Sequence, residues 1–416
     1  MNRLIEPVYL SCGAYTVAMG SGRKEFHPQK PRPGILETIR AAAEKTLSEV
    51  PSPELISEGV ISSFAPLLFN RQGNIPAVMA AAVPSLRYKP ITRVEGACGS
   101  GGLALVSAIK SVSSGLANSV LVLGFEVQNT VKAVYGADVL ARAGWAEDRK
   151  NGHAYYFPGK FSDRAGALIK KVGKDKVRTA LAHWYAQAIE NARTCPEAQE
   201  YENKSEDLLA QGLTPPMPQT FCEHLNYFDC SKVSDGAASL IVATRRGLDE
   251  LGIKKENSVQ VVGIGHAVDD IIAEPEDLAA LSTTAKAAQQ ALAMAGARRE
   301  EVSLFESHDC FSITGLLSLE ATGFCGIGES ADFVTSGGSR RNGTIPTNLT
   351  GGLIGHGHYT GGTGVRQAVD IYKQLLHKAE KSQIEIPSHK PFGLMVSMGG
   401  NDKTDVSLVF KRAYIG

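Results

Sequence analysis

Short apolar runs alternate along the chain with segments whose apolar residues recur at helical spacing. In the first half, residues 92–97 predict a strand and residues 101–115 predict a helix with one apolar face. The segments 117–128 and 233–244 are more continuously apolar, which is typical of strands buried on both faces. Strands that alternate with helices in this way predict an α/β fold.

The second half of the chain repeats this order of elements. A strand is predicted at 258–268, a helix at 283–296, and a strand, turn and helix over 302–323. A glycine-rich turn and a helix follow over 348–377, and two strands joined by a turn complete the pattern over 391–412. Because both halves end in a similar pair of apolar strands, we interpret the chain as one α/β unit used twice, with an active site between the copies.

One segment, 129–228, interrupts the repeat. It is polar and locally basic, and it carries amphipathic helical stretches, so we interpret it as an insertion over the core. A chain of 416 residues is also too long for one ordinary core. The predicted organisation is an N-terminal half of residues 1–128 plus 229–250, an inserted loop domain of residues 129–228, and a C-terminal half of residues 251–416.

Composition narrows the class of partner. The 43 basic and 43 acidic residues give a formal net charge of zero, so no global field attracts nucleic acid or an anionic membrane, and a small-molecule substrate is expected. No apolar run reaches the ~18 residues of a membrane span, and no targeting signal is found, so we predict a cytoplasmic protein. The seven cysteines lack metal-type spacing, which predicts free thiols in a reducing compartment and no metal site.

The stretch VEGACGSGG (94–102) places Cys98 among small residues between a predicted strand and a predicted helix. A helix N-terminus offers backbone N–H groups and a positive partial charge, which lower a thiol pKa toward ~7 and favour the reactive thiolate. The flanking glycines let a substrate approach closely. The alternative is a buried structural cysteine, which is the commoner role for a lone cysteine.

Two further motifs carry groups that could serve such a thiol. The block NLTGGLIGHGHYTGGTG (348–364) holds His356 and His358, and imidazole can deprotonate a thiol or donate to an oxyanion. Phosphate binding would also use glycine, but the spacing of phosphate-binding loops is absent. The second motif, ESHDCFS (306–312), holds the consecutive residues His308, Asp309 and Cys310 at a strand end.

Together these motifs resemble the thiolase superfamily over nearly the whole chain. VEGACGSGG is similar to its nucleophile turn, the 348–364 block to its Asn, Gly-Gly and Gly-His block, and VSDGAASLIVA (233–243) to its Asp-Gly-Ala-Ala strand. His-Asp-Cys-Phe at 308–311 and the insertion resemble the sterol-carrier-protein-type branch. The resemblance implies a duplicated fold of five layers, α-β-α-β-α, with the inserted loop domain, and its register assigns the family histidine to His358.

The chain departs from the family pattern at two positions. Most thiolases carry a second catalytic cysteine near the C-terminus, where this chain has Ser397, and a serine hydroxyl has far too high a pKa to replace that thiol. In the sterol-carrier-protein branch the resemblance implies that Cys310 takes this role. Tyr359 follows the family histidine where proline is usual, and we expect it to reshape the acyl pocket or the setting of the histidine.

The resemblance implies thiolysis of a 3-ketoacyl-CoA to acetyl-CoA and a shortened acyl-CoA, or the reverse Claisen condensation. The implied catalytic residues are Cys98 as nucleophile, His358 as its base, His308 as enolate donor, and Cys310 as acid and base. Backbone N–H groups of Cys98 and Gly399 would hold the oxyanion. CoA is a substrate, no other cofactor is expected, and a homodimer is implied.

Coenzyme A carries phosphates, so a basic part of the insertion is a candidate for binding it, although a solvated helix face explains the charges equally well. Its members are Lys170, Lys171, Lys174, Lys176 and Arg178.

Two other functions stay open. One is a ketosynthase-like condensing enzyme, which also pairs a cysteine with two histidines but needs no second cysteine. The other is a degenerate homologue that binds acyl-CoA or requires a partner chain.

Overall fold

The computed structural model describes residues 4–27, 29–150, 153 and 155–413. Within these residues, nine strands form one sheet. The strands are β1 (Val8–Tyr15), β2 (Glu58–Ser62), β3 (Ile91–Val94), β4 (Ser119–Glu126), β5 (Gly236–Thr244), β6 (Ser258–Val268), β7 (Val302–Glu306), β8 (Phe392–Gly399) and β9 (Thr404–Arg412).

The α-helices alternate with these strands. They are α1 (Ile35–Leu47), α2 (Pro66–Asn70), α3 (Ile75–Ala82), α4 (Ser100–Ser113), α5 (Ala133–Ala141), α6 (Tyr156–Val172), α7 (Lys174–Ala192), α8 (Leu208–Gly212), α9 (Arg245–Leu251), α10 (Ser282–Ala295), α11 (Ser312–Thr322), α12 (Ser330–Thr335), α13 (Gly352–Gly355) and α14 (Thr363–Leu375). Among the residues described, no helix combines the length and apolar character that crossing a membrane requires.

The apolar patterns predicted most of these elements. The two continuously apolar segments, 117–128 and 233–244, contain β4 and β5, which are both buried along their whole length. The strand predicted at 258–268 is β6. The strand predicted at 92–97 is shorter, because β3 ends at Val94. The next residues form a turn in which Ala97 has a φ of 52°, a left-handed conformation that a strand does not allow.

The two halves of the sheet have matching topology. In the first half β2 is parallel to β4, which is antiparallel to β5; in the second, β7 is parallel to β8, which is antiparallel to β9. β1 and β6 hold the equivalent positions beside β5 and β9, and they pair with each other to join the halves. The predicted duplication of the fold is therefore confirmed, while the domain boundaries stay a prediction.

The helices pack in three layers around the two halves of the sheet. α4 and α14 contact strands of both halves and form the central layer. α1 and α3 cover the outer face of the first half, and α10 and α11 cover that of the second. This is the five-layer α-β-α-β-α arrangement predicted above.

The described residues of the segment between β4 and β5 pack into the apolar core of the second half. Its helix α7 packs on α11, α12 and α13, and side chains of the segment share one apolar cluster with the second half. Trp184 of α7, for example, lies against Gly315 of α11. The insertion is thereby fixed to the C-terminal half of the fold.

The central helices α4 and α14 cross at their first turns with glycine against glycine. A Cβ atom placed on Gly101 would lie 2.7 Å from the backbone nitrogen of Gly364 and 2.8 Å from that of Val365. These distances leave no room for a side chain. The close crossing brings together the segments that precede the two helices, which contain Cys98 and His358.

We predict that Gly101→Ala destabilises the fold. Overpacking of this backbone contact should lower the free energy of unfolding by about 1–3 kcal/mol, as measured by urea denaturation. Gly136→Ala in α5 is the matched control, because its Cβ would meet only Val131 Cγ2, at 3.7 Å, and alanine is the better helix former. Equal stability of the two variants would contradict the prediction.

Candidate active site

Cys98 lies in a tight turn directly before α4. Gly96 accepts a hydrogen bond from the N–H of Gly99 at 2.9 Å, and its own N–H donates to Ser100 Oγ at 3.0 Å. Ala97 has positive φ, a conformation that persists only where the surroundings enforce it. The turn holds Cys98 at the wall of a cavity of about 330 Å³.

His358 reaches the same cavity from the segment before α14. Its N–H donates to the Lys232 carbonyl and Ser234 Oγ, both at 3.0 Å, and its Nδ1 lies 2.7 Å from Thr363 Oγ1. The Thr363 hydroxyl donates to the Tyr359 carbonyl at 3.1 Å, so we assign it as acceptor from Nδ1–H. This tautomer leaves a lone pair on Nε2, which has no hydrogen-bond partner among the described residues.

His308 and Cys310 follow β7 in one short turn. The His308 ring lies edge-on to that of His358, with centroids 5.3 Å apart, and within the described part of the chain neither of its nitrogens has a partner. Asp309 holds the turn by accepting hydrogen bonds from Leu353 N–H at 2.7 Å and Trp184 Nε1–H at 3.0 Å. Cys310 Sγ lies 3.8 Å from Thr314 Oγ1 and lines the cavity.

The fold brings all four predicted catalytic residues together. The sulfur of Cys98 and ring nitrogens of His308 and His358 lie within 4.8 Å of one another, and Cys310 lines the cavity beside them. The cysteine and the two histidines are also the residues that could hold a metal ion, since thiolate and imidazole are zinc ligands. The metal-free site stays a prediction, as do the catalytic roles.

Burial sets the protonation state of this site. It raises the pKa of Cys98 to about 12, an effect that the Glu126 carboxylate increases and the Gly400 N–H opposes. Burial and the Arg366 guanidinium lower the pKa of His358 to about 3. The expectation of a lowered thiol pKa is therefore wrong for the free protein, which holds a neutral thiol beside a neutral imidazole.

The backbone N–H groups near Cys98 also differ from the predicted pair of oxyanion donors, Cys98 and Gly399. The N–H of Gly399 donates to Asp405 Oδ1 at 3.3 Å, which directs it to a buried carboxyl group. The next residue, Gly400, lines the cavity, and its N–H acts on the Cys98 sulfur. Gly400 thus replaces Gly399 as the candidate oxyanion donor.

The predicted CoA-binding cations lie away from the cavity. None is among the residues that line it, and three have carboxylate partners. Lys171 and Lys176 pair with Asp277 and Asp332, each at 2.5 Å. Arg178 makes two hydrogen bonds, of 2.6 and 2.7 Å, to a buried aspartate, Asp229. The assignment of all five cations to CoA stays a prediction.

The two departures from the family pattern also lie outside the cavity wall. Ser397 is buried in β8 against Gly102 and Gly364 at the crossing of the central helices. Tyr359 is fully buried against Gly236 and Gly362 and is not among the residues that line the cavity. Its carbonyl accepts the hydrogen bond from Thr363, so an altered setting of His358, the other expected effect of Tyr359, stays a prediction. His356 contacts Cys195 instead of Cys98, with Nδ1 and Sγ 3.8 Å apart.

Sequence reasoning missed several residues of the site. Thr363 orients the His358 ring, yet its only signal is a hydroxyl five residues after His358. Gln128 lines the cavity and donates to the His358 carbonyl at 2.5 Å, and Cys230 also lines the cavity. No short-range pattern marks these residues, because separate elements bring them to the cavity.

A partly buried thiol, two imidazoles with unpartnered ring nitrogens and a second thiol on a duplicated α/β fold define a thiol-dependent acyltransferase. A family model described as "Thiolase C-terminal domain-like" matches residues 265–412. The chain is 32% identical over 346 residues to the acetyl-CoA acetyltransferase of Methanothermobacter thermautotrophicus, which covers 83% of this chain and 86% of that relative. The chain belongs to the thiolase family and is an enzyme of its thiolytic or condensing acyltransferase class.

Two further similarities place the chain within this family. Sterol carrier protein 2 of Bos taurus is 27% identical over 307 residues, covering 71% of this chain and 54% of that protein. The solved structure titled "Ltp2-ChsH2(DUF35) aldolase" has the same fold, with a TM-score of 0.77, 18% identity and 100% of both chains covered. The relatives and the His-Asp-Cys-Phe turn assign the chain to the sterol-carrier-protein-type branch.

The raised thiol pKa predicts how Cys98 alkylation depends on pH. Because the reactive thiolate is a small fraction at neutral pH, the rate with iodoacetamide should rise about tenfold per pH unit from pH 7 to 9 without a plateau. Peptide mass spectrometry measures the rate at each cysteine, and Cys98→Ala identifies the signal. A plateau of the Cys98 alkylation rate between pH 6 and 8 would contradict the assignment of a neutral Cys98 thiol beside a neutral His358 imidazole.

Proposed function

We propose that the chain catalyses reversible thiolysis of a 3-ketoacyl-CoA through an acyl-Cys98 intermediate. The observation that carries this proposal is that the Cys98 thiol and ring nitrogens of His308 and His358 lie within 4.8 Å of one another, beside a cavity that Cys98 and His358 line. In buried positions, unpartnered polar atoms are costly unless they meet a ligand. The substrates are acyl-CoA and CoA, and no separate cofactor is required.

In the first step, His358 Nε2 takes the Cys98 proton as the sulfur attacks the 3-keto carbon. Thr363 fixes the tautomer that makes this transfer possible. The tetrahedral oxyanion is held by the backbone N–H groups of Cys98 and Gly400. Neutral partners suit this sequence, because the charges form only when the substrate carbonyl is present to receive the electron pair.

In the second step, the bond between carbons 2 and 3 breaks and leaves the acyl group on Cys98. The electron pair passes to the enolate of acetyl-CoA, whose oxygen is held by His308 and His358. Cys310 protonates the enolate carbon, then takes the proton of incoming CoA. The CoA thiolate attacks the acyl-Cys98 thioester and releases the shortened acyl-CoA. In the reverse direction, the same groups perform the Claisen condensation.

The homodimer and the cytoplasmic location predicted from the sequence stay proposals. Ketosynthase-like condensation is a second candidate, which the two histidines beside Cys98 favour. It differs from thiolysis in needing no acid or base at Cys310.

We predict that Cys98→Ala removes the covalent intermediate. Thiolysis of acetoacetyl-CoA should fall by about 10⁴-fold or more, and intact-mass spectrometry after incubation with acetyl-CoA should detect no acetyl adduct. Cys195→Ala, which changes a buried thiol outside the cavity, should keep both signals. Wild-type activity in Cys98→Ala would overturn the proposal, and an inactive, unacylated wild type would indicate the degenerate homologue.

We predict that Cys310→Ala separates acylation from turnover. Loss of the acid and base should slow thiolysis by about 10²–10⁴-fold while Cys98 still becomes acetylated. Cys230→Ala is the matched control, because it changes a second thiol at the wall of the same cavity. Unchanged thiolysis in Cys310→Ala would exclude its proposed role. Decarboxylative condensation of malonyl-CoA by the wild type, without thiolysis, would support the ketosynthase alternative.

A further inference from the structure

The cavity above Cys98 is walled by aromatic rings. Seven of its 21 lining residues are Phe or Tyr, whereas aromatic residues make up 7% of the whole chain. One row begins at Phe311, beside Cys310, and stacks on Phe161 with ring centroids 4.6 Å apart. It continues to Phe157 at 6.2 Å and to Tyr156 at a further 5.0 Å. The row therefore leads outward from the thiols along α6.

A second group of rings lines the cavity from the segment before β5. Phe221 packs between Tyr227, with centroids 4.4 Å apart, and Tyr155, with centroids 5.6 Å apart. Every ring of both groups thus rests on another ring, and such pairs add stability beyond the apolar area they bury. The rings are therefore packed against one another and give the cavity an apolar, aromatic wall.

The polar groups of the wall indicate an uncharged acyl group. Among the described residues that line the cavity there is no carboxylate, and their one cation, Lys232, lies 3.3 Å from Glu200. The other polar lining groups include Gln128 and His358, which are bonded to each other through the His358 carbonyl. A charged acyl chain bound against this wall would bury its charge without a free partner of opposite sign, which is costly.

The size of the cavity indicates a bulky acyl group. A cavity of about 150 Å³ accommodates benzene, and this cavity measures about 330 Å³. It therefore has room for a ring together with a short chain. An acetoacetyl group, with its four carbons, would leave much of the volume without contacts, which loses dispersion energy along the aromatic wall.

We propose that the preferred substrate is a 3-ketoacyl-CoA whose acyl chain carries a planar, uncharged ring. The ring lies against the wall formed by Phe161, Phe221 and Phe311, while the keto carbon reaches Cys98. Offset-stacked or edge-on contacts with these aromatic side chains favour a ring over a linear chain of equal carbon number. This inference rests on the proposed function, since it names the acyl group that Cys98 receives.

The test compares thiolysis of three thioesters by the wild-type enzyme. These are 3-oxo-5-phenylpentanoyl-CoA, the linear 3-oxoundecanoyl-CoA of equal carbon number, and acetoacetyl-CoA. We expect kcat/KM for the phenyl substrate to exceed the other two by about tenfold, chiefly through KM. Equal or lower kcat/KM for the phenyl substrate, with Cys98 acylated, overturns this inference and leaves the proposed function intact. Absence of turnover and of any Cys98 adduct overturns both.

A pair of variants tests the wall itself. Phe221→Leu removes a ring from the cavity, and we expect KM for the phenyl substrate to rise about five- to tenfold while acetoacetyl-CoA changes less than about twofold. Phe228→Leu is the matched control, because Phe228 packs on Tyr185 and does not line the cavity. Equal effects of Phe221→Leu on both substrates, or the same selective effect in Phe228→Leu, contradict the inference. If Phe221→Leu does not fold, the comparison of the three substrates with the wild-type enzyme decides the inference.

Discussion

The site depends on the close crossing of α4 and α14. Gly101 and Gly364 meet backbone to backbone, so any side chain there would push the two helices apart. Cys98 lies two residues before α4, and His358 lies five residues before α14. The two groups come from opposite halves of a duplicated fold, so this crossing determines the distance between the thiol and its proposed base.

The same crossing explains why the thiol is neutral at rest. A helix N-terminus stabilises a nearby negative charge by about 0.3–1 kcal/mol when exposed and by about 2 kcal/mol when partly buried. Raising the pKa of Cys98 from 9.0 to about 12 corresponds to about 4 kcal/mol in the opposite direction. Burial outweighs the dipole, so in the proposed mechanism the thiolate forms only as the proton moves to His358. Burial that keeps water away from the Cys98 sulfur therefore also disfavours a permanently charged thiolate.

The sequence contained the parts of the fold that local chemistry determines. Apolar periodicity located β4, β5 and β6, and motif spacing distinguished His358 from His356, which lies beside Cys195. It could not identify Gly400 as a candidate donor, because the pairing of β8 with β9 directs the N–H of Gly399 to Asp405. Nor could it show the ion pairs of the basic segment, because the carboxylate partners of three of its cations lie 51, 106 and 156 residues away in the sequence, at Asp229, Asp277 and Asp332.

The turn after β7 couples the proposed chemistry to the proposed specificity. Cys310 is the candidate acid and base, and its neighbour Phe311 is the first ring of the aromatic row. Asp309 ties this turn to Trp184 of the insertion and to the backbone of Leu353, and burial among these groups raises the pKa of Asp309 to about 7. A change that moves the insertion therefore moves the thiol and the ring together. The proposed acid and base and the first ring of the proposed acyl pocket are therefore coupled, because one short turn, anchored at the Asp309 carboxyl group, carries both.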